Sequence, residues 1–551
     1  MKVKLGIAIL LVISITSSYS ANYIYVNDPS DSTNVPDNWF NLDPSEDSVQ
    51  GISTEKAYEQ LLKDKPSRTV VVAVIDSGVD TEHEDLKEKI WINTGEIAGN
   101  GLDDDNNGYI DDIHGWNFIG NANGENVEFD TYEITREYMR LSEKFGDTEE
   151  RKIRKKDRED FKSFAKIKKD YEKRVADVTE QYKNFTEFKQ VYFAAKEIID
   201  NYFQGEDYDL TRLDTLESNS ERIVRAKYVM LYALENNIED ASFEEGETYF
   251  TAQIDYGYNL EYDSRSIVGD EYSNSNERYY GNADVKGPDA NHGTHVAGII
   301  AAVRNNDLGI NGIAENVQIM AIRAVPNGDE RDKDIANAIY YAVDNGAHII
   351  NMSFGKSYSP GKSLVDKAVK YAESKGVLIV HAAGNSSKNI DTAPNFPNKR
   401  FEKAKAKASN WLEVGASSWG DRDNFVGTFT NYGKSNVDVF APGVDIYSTT
   451  PDQQYESSSG TSMAAPVTAG VAALIWSHYP DFNAQEVKEI IMQSSRKFDN
   501  LKVNKPSKSA NGPKKDAEYI DFSKLSVSGG IVNSFEALKL AEEMSKKRRI
   551  E

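Results

Sequence analysis

The chain has 551 residues and no cysteine, which excludes disulfides, thiol nucleophiles and cysteine-held zinc. A hydrophobic share of 39% with 15 prolines matches a globular protein and not a disordered one. The formal charge of −25 leaves no basic excess for phosphate binding, so nucleic acid is not an expected partner; the acidity favours solubility and offers carboxylates for calcium.

Residues 1–20 read as a signal peptide. Lys2 and Lys4 form its basic start, Leu5 to Ile15 its apolar run, and Ser18-Tyr19-Ser20 the small residues before a cut at Ala21. That run is well short of the ~20 residues that span a bilayer, and no later stretch is long enough. The expectation is an exported chain (periplasmic, cell-surface or extracellular) with no stable membrane span once the leader is removed.

A short N-terminal segment, residues 21–50, leads to a first core part over residues 51–125. Ser53 is placed to cap a helix whose Ala57, Leu61 and Leu62 share a face. Thr69 to Ile75 is a continuous β-branched run that suits a parallel strand covered on both faces. It ends at Asp76-Ser77-Gly78, and a carboxylate at the C-terminal end of such a strand lies where open α/β sheets hold their ligands. Further on, Asp103, Asp105 and Asn107 alternate before Gly108, a spacing by which a short loop wraps oxygens around calcium. The loop departs from an EF-hand in lacking a Glu at the twelfth position, so Asp111 and Asp112 would have to close the shell. A solvated acidic turn is the alternative.

Residues 126–284 read as a mainly helical insertion. Phe161, Phe164, Ile167, Tyr171, Val175, Val178, Tyr182 and Phe185 recur three or four apart. A second set (Phe188, Val191, Ala195, Ile198, Tyr202) and a third (Ile223, Ala226, Met230, Ala233) are placed to pack back against the first. The Tyr-, Asn-, Ser-, Asp- and Gly-rich stretch from about 241 to 285 reads as loop.

A second core part covers residues 285–545, followed by a charged tail over 546–551. Helices are expected over His292–Ala302, Ile335–Asn345, Ser363–Ser374 and Ser462–Trp476. Strands are expected over Gln318–Ile322, His348–Asn351, Val377–His381, Trp411–Gly415 and Val437–Phe440. This alternation predicts an α/β fold with a parallel central sheet flanked by helices, and the helical insertion inside it.

Three stretches carry one chemistry. Asp76 closes the first strand, His292 opens a helix, and Ser462 stands at a helix start in Gly460-Thr-Ser-Met-Ala-Ala-Pro466. A serine hydroxyl is a weak nucleophile at neutral pH; it needs an imidazole to take its proton and a carboxylate to orient that ring. A helix N-terminus aims unpaired N–H groups at a developing oxyanion. Pro466 is expected within the first helical turn, where no N–H is missed. Of the seven histidines, His295, His348 and His478 read as structural, and His381 as a neighbour of the site.

Asp76-Ser-Gly-Val-Asp80, His292-Gly-Thr-His-Val-Ala-Gly298, Ala383-Gly-Asn385 and Gly460-Thr-Ser-Met-Ala-Ala-Pro466 together resemble the signatures of the subtilisin-like (subtilase) serine peptidases, in that family's order. The resemblance covers roughly residues 50–120 and 285–545. It implies that Asp76 orients His292, that His292 is general base and then general acid, that Ser462 is acylated, and that Asn385 completes an oxyanion hole. It also implies that Ser353, Phe354 and Gly355 line the main specificity pocket and pair with an extended protein or peptide substrate. A structural calcium site at Asp85 and the Asn305-Asn306 loop is suggested in the same way. The departure from the compact subtilases is the 216-residue separation of Asp76 and His292. The insertion that fills it either screens substrates near the cleft or is a solvated appendage. A catalytically silent binding module is the alternative function. An α/β-hydrolase esterase fits poorly, because its serine precedes the acid and histidine and here it comes last.

Overall fold

The computed structural model describes residues 35–146, 148–507 and 518–550, so the leader expected over residues 1–20 lies outside the described residues. Thirteen strands are described: β1 (Val70–Asp76), β2 (Gly115–Asn117), β3 (Val317–Arg323), β4 (Ile349–Met352), β5 (Leu378–Ala382), β6 (Trp411–Ser417), β7 (Val439–Pro442), β8 (Ile446–Thr450), β9 (Gln454–Ser458), β10 (Arg496–Lys497), β11 (Lys502–Asn504), β12 (Tyr519–Asp521) and β13 (Gly530–Ile531). Nine of them form one sheet in the order β10-β13-β7-β6-β5-β4-β1-β3-β2. Every neighbouring pair in it is parallel except β10 with β13.

The apolar run of β1 has a direct physical account. Alternate side chains of a strand face opposite sides of a sheet. Val70, Val72 and Val74 enter one core with Val296, Ile300, Val467 and Val471, whereas Ala73 and Ile75 enter a second core with Ile335, Ile339, Val365 and Val369. Both faces are dry, so neither parity can be polar. The helices that cover the first face include α8 (Asn291–Ala301), α11 (Thr461–His478) and α12 (Ala484–Ser494); α9 (Asp332–Asp344) and α10 (Lys362–Ser374) cover the second. The N-terminal segment also belongs to the first core: Trp39, Phe40 and Ile52 are buried there, and Trp39 Nε1 donates to Asp445 O at 2.9 Å. Ser53 starts helix α1 (Thr54–Ala57) without capping it, and its Oγ accepts from Asn533 Nδ2 at 3.1 Å instead.

The chain divides into two compact units: residues 134–262, and a larger unit that takes in the described residues before 134 and after 262, where the short α7 (Arg265–Val268) precedes α8. The smaller unit contains α2 (Glu133–Phe145) from its second residue, α3 (Arg158–Tyr202), α4 (Leu210–Asp214), α5 (Glu221–Glu235) and α6 (Asp240–Thr251). Two expectations need correcting there. The first and second apolar sets do not fold back on each other. They lie on one 45-residue helix, because nothing between Phe185 and Phe188 breaks it: the intervening pair is Thr186-Glu187. The third set, on α5, packs against the second set within one small core. The stretch read as loop from about 241 begins with α6, which is closed at its start by a capping box between Glu239 and Ser242. Phe243 and Phe250, two turns apart on α6, are both buried. Gly246 lies between them because an added Cβ would come within 2.4 Å of the Phe185 ring. Polar composition hid a helix with a narrow apolar stripe.

Candidate active site

Asp76 ends β1, and its backbone carbonyl accepts from Ala324 N and Val325 N at 3.0 and 3.2 Å, which fixes the strand end. Its Oδ1 accepts from Ser77 N at 2.8 Å and from His292 Nδ1 at 2.6 Å. Close approach of α8 to the strand makes this possible. A Cβ on Gly293 would lie 2.0 Å from Gly78 O and 3.1 Å from Asp76 Cβ, so only glycine lets the histidine helix sit this near. The partly buried His292 ring is pushed down by desolvation, but the Asp76 carboxylate and the charge of Asp289 overcome this, and its pKa ends above the usual 6.5. His295, one turn on, is lowered to about 4, chiefly by burial and further by the His292 charge, against the raising effect of its backbone hydrogen bonds; its Nε2 donates to Glu456 O at 3.1 Å. It is a neutral structural group.

Ser462 is the second residue of α11, and α11 packs against α8. Its Oγ donates to Ser353 O at 2.9 Å, and Ser353 Oγ returns a bond to Ser462 O at 2.8 Å. The second bond corrects the account of Pro466. That proline is the sixth residue of the helix, beyond the first turn, and its missing N–H would have bonded the Ser462 carbonyl. The Ser353 hydroxyl satisfies that carbonyl instead.

Asn385 Oδ1 accepts from Thr461 N at 2.9 Å and from Thr461 Oγ1 at 2.8 Å. Thr461 Oγ1 in turn accepts from Gly384 N at 2.9 Å. These bonds fix the amide orientation and turn Nδ2 toward the opening beside Gly460. A Cβ on Gly460 would stand 3.3 Å from Asn385 Nδ2 and 3.6 Å from Ser462 N. Two N–H donors therefore flank one small space next to the serine. The Gly-Thr-Ser motif does not by itself mark Thr461 as the residue that orients Asn385.

Ser353, Phe354 and Gly355 follow Met352, the last paired residue of β4. Ser353 touches Ser462 as described. The Phe354 ring is buried edge-on to His381, with centroids 6.3 Å apart. Gly355 faces Phe396 O and the Asn395 amide, at 3.1 and 3.6 Å from its ideal Cβ. His381 Nδ1 pairs with Glu413 Oε1 at 3.1 Å behind this wall. Asp80 is a turn residue, ion-paired to Lys286 at 2.9 Å; burial raises its pKa, but the Asp452 N–H, Lys286 and the Glu82 N–H hold the net value below the ordinary range.

The expected calcium ligands separate into groups. Asp103 accepts from the amides of Asn107 and Gly108, and Asp111 from those of Gly99, Asn100 and Gly101. Asp105 and Asp112 are joined by Glu96, which sequence spacing missed, in a set where one carboxylate oxygen from each lies within 4.8 Å of the other two. Asn107 Nδ2 donates to Asp105 and Asp112 at 3.2 and 3.1 Å, so that amide nitrogen serves as a clamp. Burial pushes Asp112 up to about 6. Asp85 lies elsewhere: its Oδ1 accepts from Asn306 Nδ2 at 2.7 Å, while its buried Oδ2 has no hydrogen-bond partner, and burial raises its pKa. Asn41 Oδ1 is a second buried oxygen without a partner, and Asn41 Nδ2 donates to Asn311 O of the same loop at 2.8 Å.

The chain is similar to several known proteins. The thermophilic serine proteinase of Bacillus sp. (strain AK1) is 44% identical over 209 residues, 38% of this chain and 47% of that protein. Thermitase of Thermoactinomyces vulgaris is 46% identical over 185 residues, 33% of this chain and 60% of that one. The thermostable alkaline protease of Halalkalibacterium halodurans (strain ATCC BAA-125 / DSM 18197 / FERM 7344 / JCM 9153 / C-125) is 35% identical over 245 residues, 44% of this chain and 61% of that one. The chain thus spans less than two thirds of the length of each of these relatives. The family model described as the subtilase family matches residues 67–516, well over half of the sequence, and this chain belongs to that family.

Proposed function

We propose that the chain is a serine endopeptidase that cleaves peptide bonds in proteins through an acyl-enzyme, with Asp76, His292 and Ser462 as its triad. The observation that carries this is the 2.6 Å contact between His292 Nδ1 and Asp76 Oδ1, on a helix packed against the one that begins beside Ser462. With Nδ1 engaged, Nε2 is the ring atom that takes the Ser462 proton as Oγ attacks the substrate carbonyl. The oxyanion draws on Asn385 Nδ2 and the Ser462 N–H. His292 then protonates the leaving amine, and water repeats the sequence to release the acid. Residues 353–355 leave the sheet after Met352 and offer an extended edge for the substrate. A fluorophosphonate that labels the native chain but not Ser462→Ala supports the enzyme over the silent binding module; equal labelling of both refutes it.

Asn385→Ala should lower kcat about 10²–10³-fold with little change in KM, the size known for the equivalent donor in subtilisin, a member of this family. Thr461→Val removes the Oγ1 bond to Asn385 and leaves Nδ2 in place, so its loss in kcat should be the smaller. Steady-state kinetics on a peptide substrate compare the two, and equal losses would remove Asn385 from the oxyanion role.

Calcium is proposed as a structural ion. The oxygens without partners on Asp85 and Asn41 fit a cation beside the 303–311 loop, and Glu96, Asp105 and Asp112 fit a second. An ion that binds only the folded chain stabilises it by about 2.7 kcal/mol at a hundred times its dissociation constant. Thermal unfolding with calcium or chelator should show a midpoint several degrees higher with calcium, and Asp85→Asn should shrink that difference. No response to either reagent would remove the ion.

Export is proposed from the leader-like residues 1–20. No helix among the described residues is long and apolar enough to cross a membrane.

A further inference from the structure

Lys356 directly follows the three residues proposed to hold the substrate, and its surroundings do not belong to the triad. Its side chain is 1% exposed, and its ammonium group lies 2.7 Å from Glu133 Oε2, 2.7 Å from Glu330 O and 3.0 Å from Asp332 Oδ1. Its backbone is held as tightly, with Lys356 N donating to Phe396 O at 2.8 Å and Phe396 N donating to Lys356 O at 2.9 Å. Asn395, next to Phe396, stands between the two walls of the site. Its Nδ2 donates to Ala383 O at 3.2 Å, and its Oδ1 lies 3.3 and 3.6 Å from the ideal Cβ positions of Gly384 and Gly355. One residue therefore ties the end of the 353–355 edge to three other segments: residue 133 before the helical unit, residues 330–332 at the start of α9, and residues 395–396.

A lysine charge is rarely taken out of water without strong need. Two carboxylates and a carbonyl around one ammonium make up a fixed anchor, whereas a surface lysine would leave the edge free to move. Burial raises the Glu330 carboxyl although the Lys356 charge pulls it down. At the other end of the edge, Ser353 is locked by its paired bonds to Ser462. Between these two fixed points the intervening Phe354 and Gly355 have little freedom.

We infer that Lys356 is a positioning residue for substrate, holding residues 353–355 at the spacing from Ser462 and Asn385 that an extended peptide requires. This rests on the peptidase assignment above. The anchor acts on a peptide long enough to lie along the edge; it does not act on the reactivity of Ser462 itself. A small phosphonylating reagent, which needs only the serine, histidine and oxyanion donors, should not sense it.

The experiment measures two rates on each of four proteins: wild type, Lys356→Met, Lys356→Arg and Glu133→Gln. One rate is kcat/KM on an extended peptide, and the other is labelling by a fluorophosphonate. For Lys356→Met the expected result is a 10- to 100-fold fall in peptide kcat/KM, mostly in KM, with the labelling rate within about twofold of wild type; displacements of about 1 Å have effects of that order. Lys356→Arg should recover part of the loss, and Glu133→Gln, which keeps an acceptor oxygen, should show a smaller loss of the same selectivity. Equal falls in both rates, or no fall in either, would overturn the role. If Lys356→Met does not fold, the arginine and Glu133 variants decide by the same ratio. Wild type that takes no label would refute the peptidase assignment itself, a failure distinct from labelling without selectivity.

Discussion

Ser462→Ala should remove turnover almost completely, with kcat falling about 10⁶-fold, the magnitude known for subtilisin in the same family. The alanine lacks the only atom that can carry the acyl group, and nothing beside it offers a replacement. The Ser353 hydroxyl is committed to the Ser462 carbonyl that Pro466 leaves without a donor. The fold should not suffer, because Ser462 is 6% exposed and its Oγ makes one bond, to Ser353 O. Equal unfolding midpoints for variant and wild type, with lost hydrolysis, are the expected pair of results. Combining Ser462→Ala with His292→Ala should cost no more than either alone, since the two act on one proton transfer. A double variant clearly slower than the singles would mean that His292 works outside the triad.

Asp76→Asn should lower kcat about 10⁴-fold, again a size known for triad enzymes. An amide at this position keeps the shape but offers the ring the wrong partner for the required tautomer. The pH profile carries the sharper test. In the proposed mechanism His292 must be neutral to accept the serine proton, and Asp76 holds its pKa above 6.5 against the pull of burial. In wild type the acid limb of kcat/KM should therefore lie above pH 6.5, with activity lost as pH falls through it. With Asp76 neutralised, burial is left as the main influence and the residual activity should have its limb below 6.5. A limb that stays in place would separate Asp76 from His292. The sign for stability is the reverse of that for activity. A raised histidine pKa stabilises the protonated fold, fully below 6.5, and the contribution disappears as pH rises through the folded value.

Much of this site was legible because its chemistry is written in short contiguous stretches. Asp76 at a strand end, His292 at a helix start and Ser462 behind a glycine each declare local structure as well as a reactive group. The two cores also follow from sequence, since β1 and β3 are apolar in both parities. What escaped notice depended on long-range geometry. Glu96 joins Asp105 and Asp112 through a turn that spacing alone does not describe. The hairpin of β8 and β9 was missed, although Ser448 and Thr449 bond the His295 and Thr294 carbonyls at 2.8 and 2.9 Å and so brace the histidine helix. Its turn residues Asp452 and Gln453 have φ near +62 and +64°, an arrangement that Asp-Gln does not advertise as Asn-Gly would. The length of α3 was missed for the opposite reason: three apolar sets suggested folding back, and the absence of any breaker outweighed them.

The pairing of β1 has an outcome for how the chain folds. Val70 pairs with Val317, and Val72 with Ile349, so the central strand is synthesised long before either neighbour exists. Assembly of the sheet has to bridge these separations, the kind of topology that slows folding. A growing chain carries Asp76, the proposed acid, early, gains His292, the proposed base, only 216 positions later, and Ser462 later still. A ribosome-bound fragment that ends before Ser462 lacks the proposed nucleophile, so on the proposed triad the order of translation withholds the chemistry until that residue has been added.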